Sequence, residues 1–422
     1  MSQHRSYFNH FSVIAKWALL LLIVGAAVGT LSALFLTSLA WATDFRGQHS
    51  WLLYFLPLAG LLIGLMYHYW GKSVERGNNL VLDSIHRPQQ VIPFRMAPMV
   101  LIGTIATHLF GGSAGREGTA LQMSAAAADQ LHKPFRIDQE ERMILLIAGL
   151  SAGFASVFGT PLAGALFGLE VLLIRKIPYK AIVPSILAAY LGAWVTELWG
   201  VGHTHYAVGW IPRLSVNTLA ASFLAGVAFS IAAVAFVWLT HFLSKQFKRI
   251  GYAPLRPLLG GSLVVLMVVV LSNGLGSGLG LDMSKYIGLG IPVIVDAFGQ
   301  AAQNQDFALK ILLTALTLGA GFKGGEVTPL FFIGATLGSA LSVFLPLPVG
   351  LMAGIGFVAV FAGAAKTPLA CCLMAMELFG PACFVFAAVA CVTAYYLSGQ
   401  KGIYSAEANK APTHFLLGKA IW

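Results

Sequence analysis

Charge is what this sequence has least of. Asp, Glu, Lys and Arg make up 10% of its 422 residues, where soluble domains carry about 25%. With 58% hydrophobic residues and a mean hydropathy of +0.79, an aqueous globular fold is excluded, because so few charges cannot cover so apolar a surface. Acidic side chains are the scarcer kind, 16 against 26 basic, and the net charge is +10. That balance suits an anionic membrane surface, so the bilayer and not a nucleic acid is the expected partner. Cysteine is also sparse. Of the four, Cys371, Cys372 and Cys383 lie in or beside one apolar stretch near Cys391, without histidine company or the loop setting of a disulfide framework. They read as small buried residues. No HExxH or other catalytic metal motif and no P-loop occurs, so no metal, cofactor or ATP drive is expected. His203 and His205 with Glu197 read as residues of a loop between spans.

Long uncharged runs are abundant. A spanning helix needs about 20 apolar residues, and Trp17 to Thr43 and Trp51 to Trp70 meet that length. So do the stretches between Arg142 and Glu170, Arg213 and Lys245, Arg256 and Asp282, Glu326 and Lys366, and Glu377 and Lys401. The first run is too long for a signal-peptide core of about 7–15 residues and reads as a retained helix. Met96 to Phe110, Thr119 to Leu131, Tyr286 to Ala302 and Leu309 to Phe322 are too short or too broken by Gly and Pro to span alone. Interrupted helices at membrane depth need protein or a cavity around their free backbone ends, which implies a site. The expected fold is an all-α polytopic membrane protein, one transport domain over 1–422 without a cytoplasmic appendage. Arg5 and Lys16 before the first span and Lys72 and Arg76 after the second, against Arg46 offset by Asp44 in a loop over 43–50, place the N-terminus in the cytoplasm.

The chain repeats itself. Thr160-Pro161-Leu162-Ala163 with Glu170 recurs as Thr367-Pro368-Leu369-Ala370 with Glu377, 207 residues on. GGSAGREGT (111–119) carries Glu117, and GFKGGEVTP (321–329) carries Glu326, 209 residues on. These landmarks give a first repeat of about 17–200 and a second of about 215–410, each with interrupted segments at matching positions, the pattern that points to a site between the halves.

GGSAGREGT passes from glycines into an apolar helical run. The start of such a helix has unpaired N–H groups and a positive dipole end, an anion site. Glu117 at that end can put its own carboxylate where an external anion would sit, and an ionisable residue in a membrane is expected to be functional. Glu326 and Thr328 are the second-half counterpart, giving two protonatable groups along one path; the plainer alternative pairs Glu326 with Lys323. Arg116 is expected to fix the loop or steer anions. His108 reads as a helix-end packing residue, and Gly153 to Ser156 as a packing face.

At these residues the sequence resembles the CLC family of chloride channels and anion/proton antiporters. GREGT (115–119) is similar to the family's GREGP, GFKGGEVTP to its GKxGGxFxP, and GIYSA (402–406) to the segment bearing its site tyrosine. Three departures stand out: GNNLV (77–81) puts Asn78 where the family has a serine, Val327 replaces an aromatic, and Val171 follows Glu170 where chloride antiporters carry an inner proton-relay glutamate. That set resembles the fluoride-exporting branch. The resemblance implies a CLC-type fold whose interrupted helices meet at a mid-membrane anion site, gating by Glu117 and an essential Glu326. It further implies anion binding around Asn78, Thr328, Tyr404, Gly118 and Val327 with Arg116 and Lys323 in support, a homodimer, and the inner membrane. Fluoride and protons would be the transported ions, moving oppositely. A chloride-selective transporter or a passive anion channel is the nearest alternative, and a membrane enzyme is disfavoured because no nucleophile or metal set accompanies the glutamates.

Overall fold

The computed structural model describes residues 2–86, 91–171, 179–273 and 281–404; Ser405 and Ala406 of the GIYSA segment lie outside them. The described residues form sixteen α-helices, a few 3-10 turns and one isolated β-bridge. The first half comprises α1 (Ser2–Gln48), α2 (Leu56–Trp70), α3 (Asn78–His86), α4 (Met96–Leu109), α5 (Glu117–Asp129), α6 (Gln139–Phe158), α7 (Pro161–Glu170) and α8 (Ile182–Leu198). The second comprises α9 (Val216–Lys248), α10 (Leu255–Asn273), α11 (Ile291–Gly299), α12 (Asp306–Gly319), α13 (Val327–Leu341), α14 (Val349–Ala365), α15 (Pro368–Phe379) and α16 (Phe384–Leu397). Among the described residues, six helical stretches are long and apolar enough to cross a membrane: Val13–Gln48, Ser50–Trp70, Gln139–Phe158, Tyr179–Leu198, Val216–Lys248 and Leu255–Ser272. The chain is a multi-pass membrane protein.

Two expectations need correction. Residues 43–48 are not a loop; α1 runs through them, and Arg46 turns inward to donate to the His108 carbonyl at 3.1 Å. Glu197 is not a loop residue either, since it lies in the last turn of α8. That helix escapes a count of uncharged runs because Lys180 and Glu197 bracket a stretch shorter than a full span.

The register of the repeat is also corrected. Helices α4 and α12, α5 and α13, and α6 and α14 each start 210 residues apart, at 96 and 306, 117 and 327, 139 and 349. The spacing drops to 207 at α7 and α15, which start at 161 and 368, because α14 has 17 residues where α6 has 20. The deletion falls inside a helix, so the caps stay equivalent. Both helices end on a left-handed residue, Gly159 and Lys366. At the 210 register Glu117 matches Val327 and Glu326 matches Arg116, so the two carboxylates 209 apart are not equivalent positions.

Equivalent pieces of the halves meet antiparallel and reciprocally. Glu170, in the last turn of α7, accepts hydrogen bonds from Leu369 N (2.9 Å) and Ala370 N (2.7 Å) in the first turn of α15. Glu377 of α15 returns the contact to Leu162 N and Ala163 N of α7, both at 2.8 Å. Each carboxylate satisfies N–H groups that no helix can pair internally and faces the positive dipole end of its neighbour. The most buried helices include α14, buried from Gly350 to Ala365, and α6, buried over most of its length. The four cysteines are buried and free.

Candidate functional site

The loops that follow α4 and α12 run back to back. Gly115 N donates to Gly325 O at 2.6 Å and Gly325 N to Gly115 O at 2.8 Å, the single antiparallel bridge among the described residues. The approach requires glycine on both sides. A β-carbon at Gly115 would stand 2.6 Å from Glu117 Oε2, and one at Gly325 would stand 2.6 Å from Gly118 N. With no side chain between them, the two loops bring the N-termini of α5 and α13 together, and the positive ends of two helices converge.

Glu117, the first residue of α5, occupies that convergence. Its carboxylate is fully buried. One oxygen accepts from Arg116 N (3.0 Å) and Thr328 N (3.1 Å), and the other accepts a very short hydrogen bond from the Thr328 hydroxyl. Arg116 Nε stands 3.9 Å away. The donors are a helix N-terminus and a hydroxyl, the set that binds inorganic anions. A carboxylate of the first half is thus held largely by donors of the second. Val327 is buried beside it. Thr119 pairs its hydroxyl with Thr104 at 2.6 Å.

A cavity of about 10 Å³ is lined by Asn78, Val81, Leu82, Leu121, Leu150, Phe167, Val171 and Tyr404. That is the room one water-sized occupant needs. Asn78 links this cavity to the start of α5. Its Nδ2 lies 3.0 Å from where a β-carbon on Gly118 would be, while its Oδ1 is buried without a hydrogen-bond partner among the described residues. Val171, the position without an inner glutamate, is part of the cavity wall. Gln122, which sequence reading passed over, faces Gly77 just before Asn78; its position one turn into α5 was the available signal.

Other candidates fall elsewhere. Glu326 stands at the N-cap position of α13 without a side-chain capping bond and is half-buried, and no ion pair reaches it among the described residues. Lys323 does not pair with it; its ammonium lies 3.9 Å from the centre of the Tyr67 ring. Arg116 extends toward Val157 O at 3.5 Å. His108 is buried, with ring nitrogens 2.8 Å from Thr104 O and 3.0 Å from Ala114 O, tying the end of α4 to the glycine loop. His203 packs on Gly159, and no group of three or more His, Cys, Asp or Glu side chains able to hold a metal occurs among the described residues.

The model of the voltage gated chloride channel family matches residues 59–399. This chain belongs to that family. It is 53% identical over 395 residues, 93% of this chain and 86% of the other, to the "Chloride/fluoride channel protein" of Pseudomonas syringae pv. tomato. It is 26% identical to the "H(+)/Cl(-) exchange transporter ClcA" of Yersinia pestis, over 86% of this chain and 81% of that one. Among solved structures, a CLC-type fluoride/proton antiporter superposes with a TM-score of 0.88 at 33% identity, covering 95% of this chain and 99% of the other. A slow cyanobacterial Cl-/H+ antiporter superposes at 0.79 with 18% identity, covering 93% and 97%, a likeness of fold. The all-helical CLC-type fold follows, and CLC members are membrane channels and transporters, not enzymes.

Proposed function

We propose that the chain is a fluoride/proton antiporter that exports fluoride as protons enter. One observation carries the reading: the Glu117 carboxylate sits in an anion seat made by Thr328 N–H, the Thr328 hydroxyl and Arg116 N–H. Carboxylate and anion compete for these donors. Protonation removes the charge that makes the bonds strong, Glu117 leaves, and fluoride takes its place. When fluoride departs outward, Glu117 gives its proton to the inner side and returns. A small, strongly hydrated anion needs several donors to replace its water, and Asn78 supplies an amide on the way in. Glu326, at the head of α13, is the second proton carrier, compensating for the apolar wall at Val171. The names of the relatives at 53% and 33% identity support an ion path of this kind.

We assign the remaining features on the same footing. The whole chain acts as one transport unit of two halves, about 17–200 and 215–410. It lies in the inner membrane with a cytoplasmic N-terminus and works as a homodimer with one pathway per subunit. The second reading, a passive channel for fluoride or chloride, draws on the word "channel" in the name of the 53% identical relative.

Reconstituted vesicles decide between them. With fluoride and chloride electrodes and external pH recorded together, an imposed fluoride gradient should drive protons uphill, and chloride efflux should be far slower. Equal efflux of the two ions removes the fluoride assignment. Fluoride flux that cannot pump protons leaves a channel.

A further inference from the structure

The equivalent caps of α6 and α14 differ in one respect. Both are left-handed, Gly159 at φ 69°, ψ 29° and Lys366 at φ 65°, ψ 36°. Glycine enters that region freely, and a lysine does so only against the crowding of its β-carbon. Lys366 and Arg136 are the two non-glycine residues with positive φ among the described residues. The half-buried side chain that occupies this unfavourable position carries an ammonium with three donors. One of them meets Ser398 Oγ at 2.6 Å, and the serine's own proton goes to Gly363 O at 3.0 Å or Tyr395 O at 3.1 Å. The Tyr395 ring centre lies 5.9 Å off. No carboxylate pairs with Lys366 among the described residues, and Glu170, at the end of α7, is held by Leu369 and Ala370 N–H at the start of α15.

The lysine stands where the Tyr404 segment docks. Ile403 N donates to Ala364 O at 2.9 Å. A β-carbon at Gly402 would come within 2.8 Å of Ala364 O and 3.2 Å of Lys366 Cγ, so only glycine lets the segment lie this close. Tyr404, two residues on, lines the small cavity with Asn78. The exposed Lys401 adds a second positive charge next to the segment.

We infer that Lys366 is an anion-receiving residue at the mouth on the Tyr404 side, where its ammonium takes up a small, hydrated inorganic anion before that anion enters the Asn78–Tyr404 cavity. The inference rests on the anion path proposed above. A lysine ammonium is a compact, hydrated charge with rotatable donors, suited to exchanging the water of an anion stepwise, and a charge at the rim of a binding path acts on capture and on salt dependence.

The test is anion efflux from vesicles as a function of internal fluoride, and separately of internal chloride, for the wild type, K366Q, K366R and K366G. K366Q and K366G should raise the KM for the carried anion about fivefold and flatten its dependence on ionic strength, leaving kcat within about twofold. K366R should stay near the wild type. K366G also releases the backbone crowding, so it should melt at a higher temperature than the wild type while keeping the raised KM. Unchanged KM in K366Q, loss confined to kcat, recovery of KM in K366G, or failure of K366R alongside K366Q each overturns the inference. A wild type that carries chloride as fast as fluoride would sink the fluoride assignment alone, because the K366Q shift would then be read with chloride.

Discussion

The starts of α5 and α13 share a backbone and divide the chemistry. Each follows a glycine loop and meets the other at the Gly115–Gly325 bridge, yet one begins Arg116-Glu117 and the other Glu326-Val327-Thr328. Had both kept a glutamate at the first helical position, two carboxylates would face each other over one set of donors, and like charges at such range exclude joint ionisation. Placing valine opposite Glu117 and moving the second carboxylate one residue upstream leaves one tenant and one host. The comparison teaches that the repeat supplies the paired helix starts, and the breaking of equivalence leaves a single carboxylate between them, the one proposed above as the gate.

The strongest way to break the asymmetry is Glu117→Gln. The amide keeps the size of the side chain and cannot cycle a proton, so fluoride-driven proton uptake should fall at least about 100-fold, whatever remains of fluoride leak; two electrodes on one vesicle sample suffice. Gly325→Ala attacks the shared part. Its methyl would meet Gly118 N at 2.6 Å, and overpacking of this kind costs about 1–3 kcal/mol or more, read as a lower melting temperature in detergent together with lost transport. Thr328→Val removes the host hydroxyl. A hydrogen bond to a charged group contributes about 1.5–3 kcal/mol, so affinity for fluoride should drop by about tenfold or more, measured by calorimetric titration with sodium fluoride. Glu326→Gln should slow coupled exchange by roughly tenfold while fluoride binding in the same titration stays normal. Near-normal turnover would deny it a proton role. The smallest effect is expected for Lys323→Met. With its ammonium over Tyr67, the loss is about 1 kcal/mol of stability, and the exchange rate should hold.

Much of this was legible in the sequence because the residues that matter are charged or glycine in an otherwise apolar chain. Glu117, Glu326 and the TPLA segments announce themselves by composition, and their spacing exposes the repeat. The register was not legible. Glu117 and Glu326 look alike as letters, and it takes the helix starts 210 residues apart and the Gly115–Gly325 bridge to show that Glu326 occupies the place of Arg116. The short helix α3 and the span α8 also escaped, the first for its length and the second for its bracketing charges. The small cavity gathers residues from Asn78 to Tyr404, a juxtaposition that no local pattern encodes. Nor does a pattern reveal that Glu170 and Glu377, visible as landmarks, each cap the other's helix, since a helix end at Leu162 or Leu369 is indifferent to where its carboxylate comes from.

The crossed caps of α7 and α15 bear on how the molecule holds together if its backbone is opened. Severed in the connector between α8 and α9, each fragment would keep an acidic anchor and an uncovered helix start whose complements reside on the other piece. The joint is therefore a two-way dovetail, in which neither product of a split gene closes its own ends and both close on meeting.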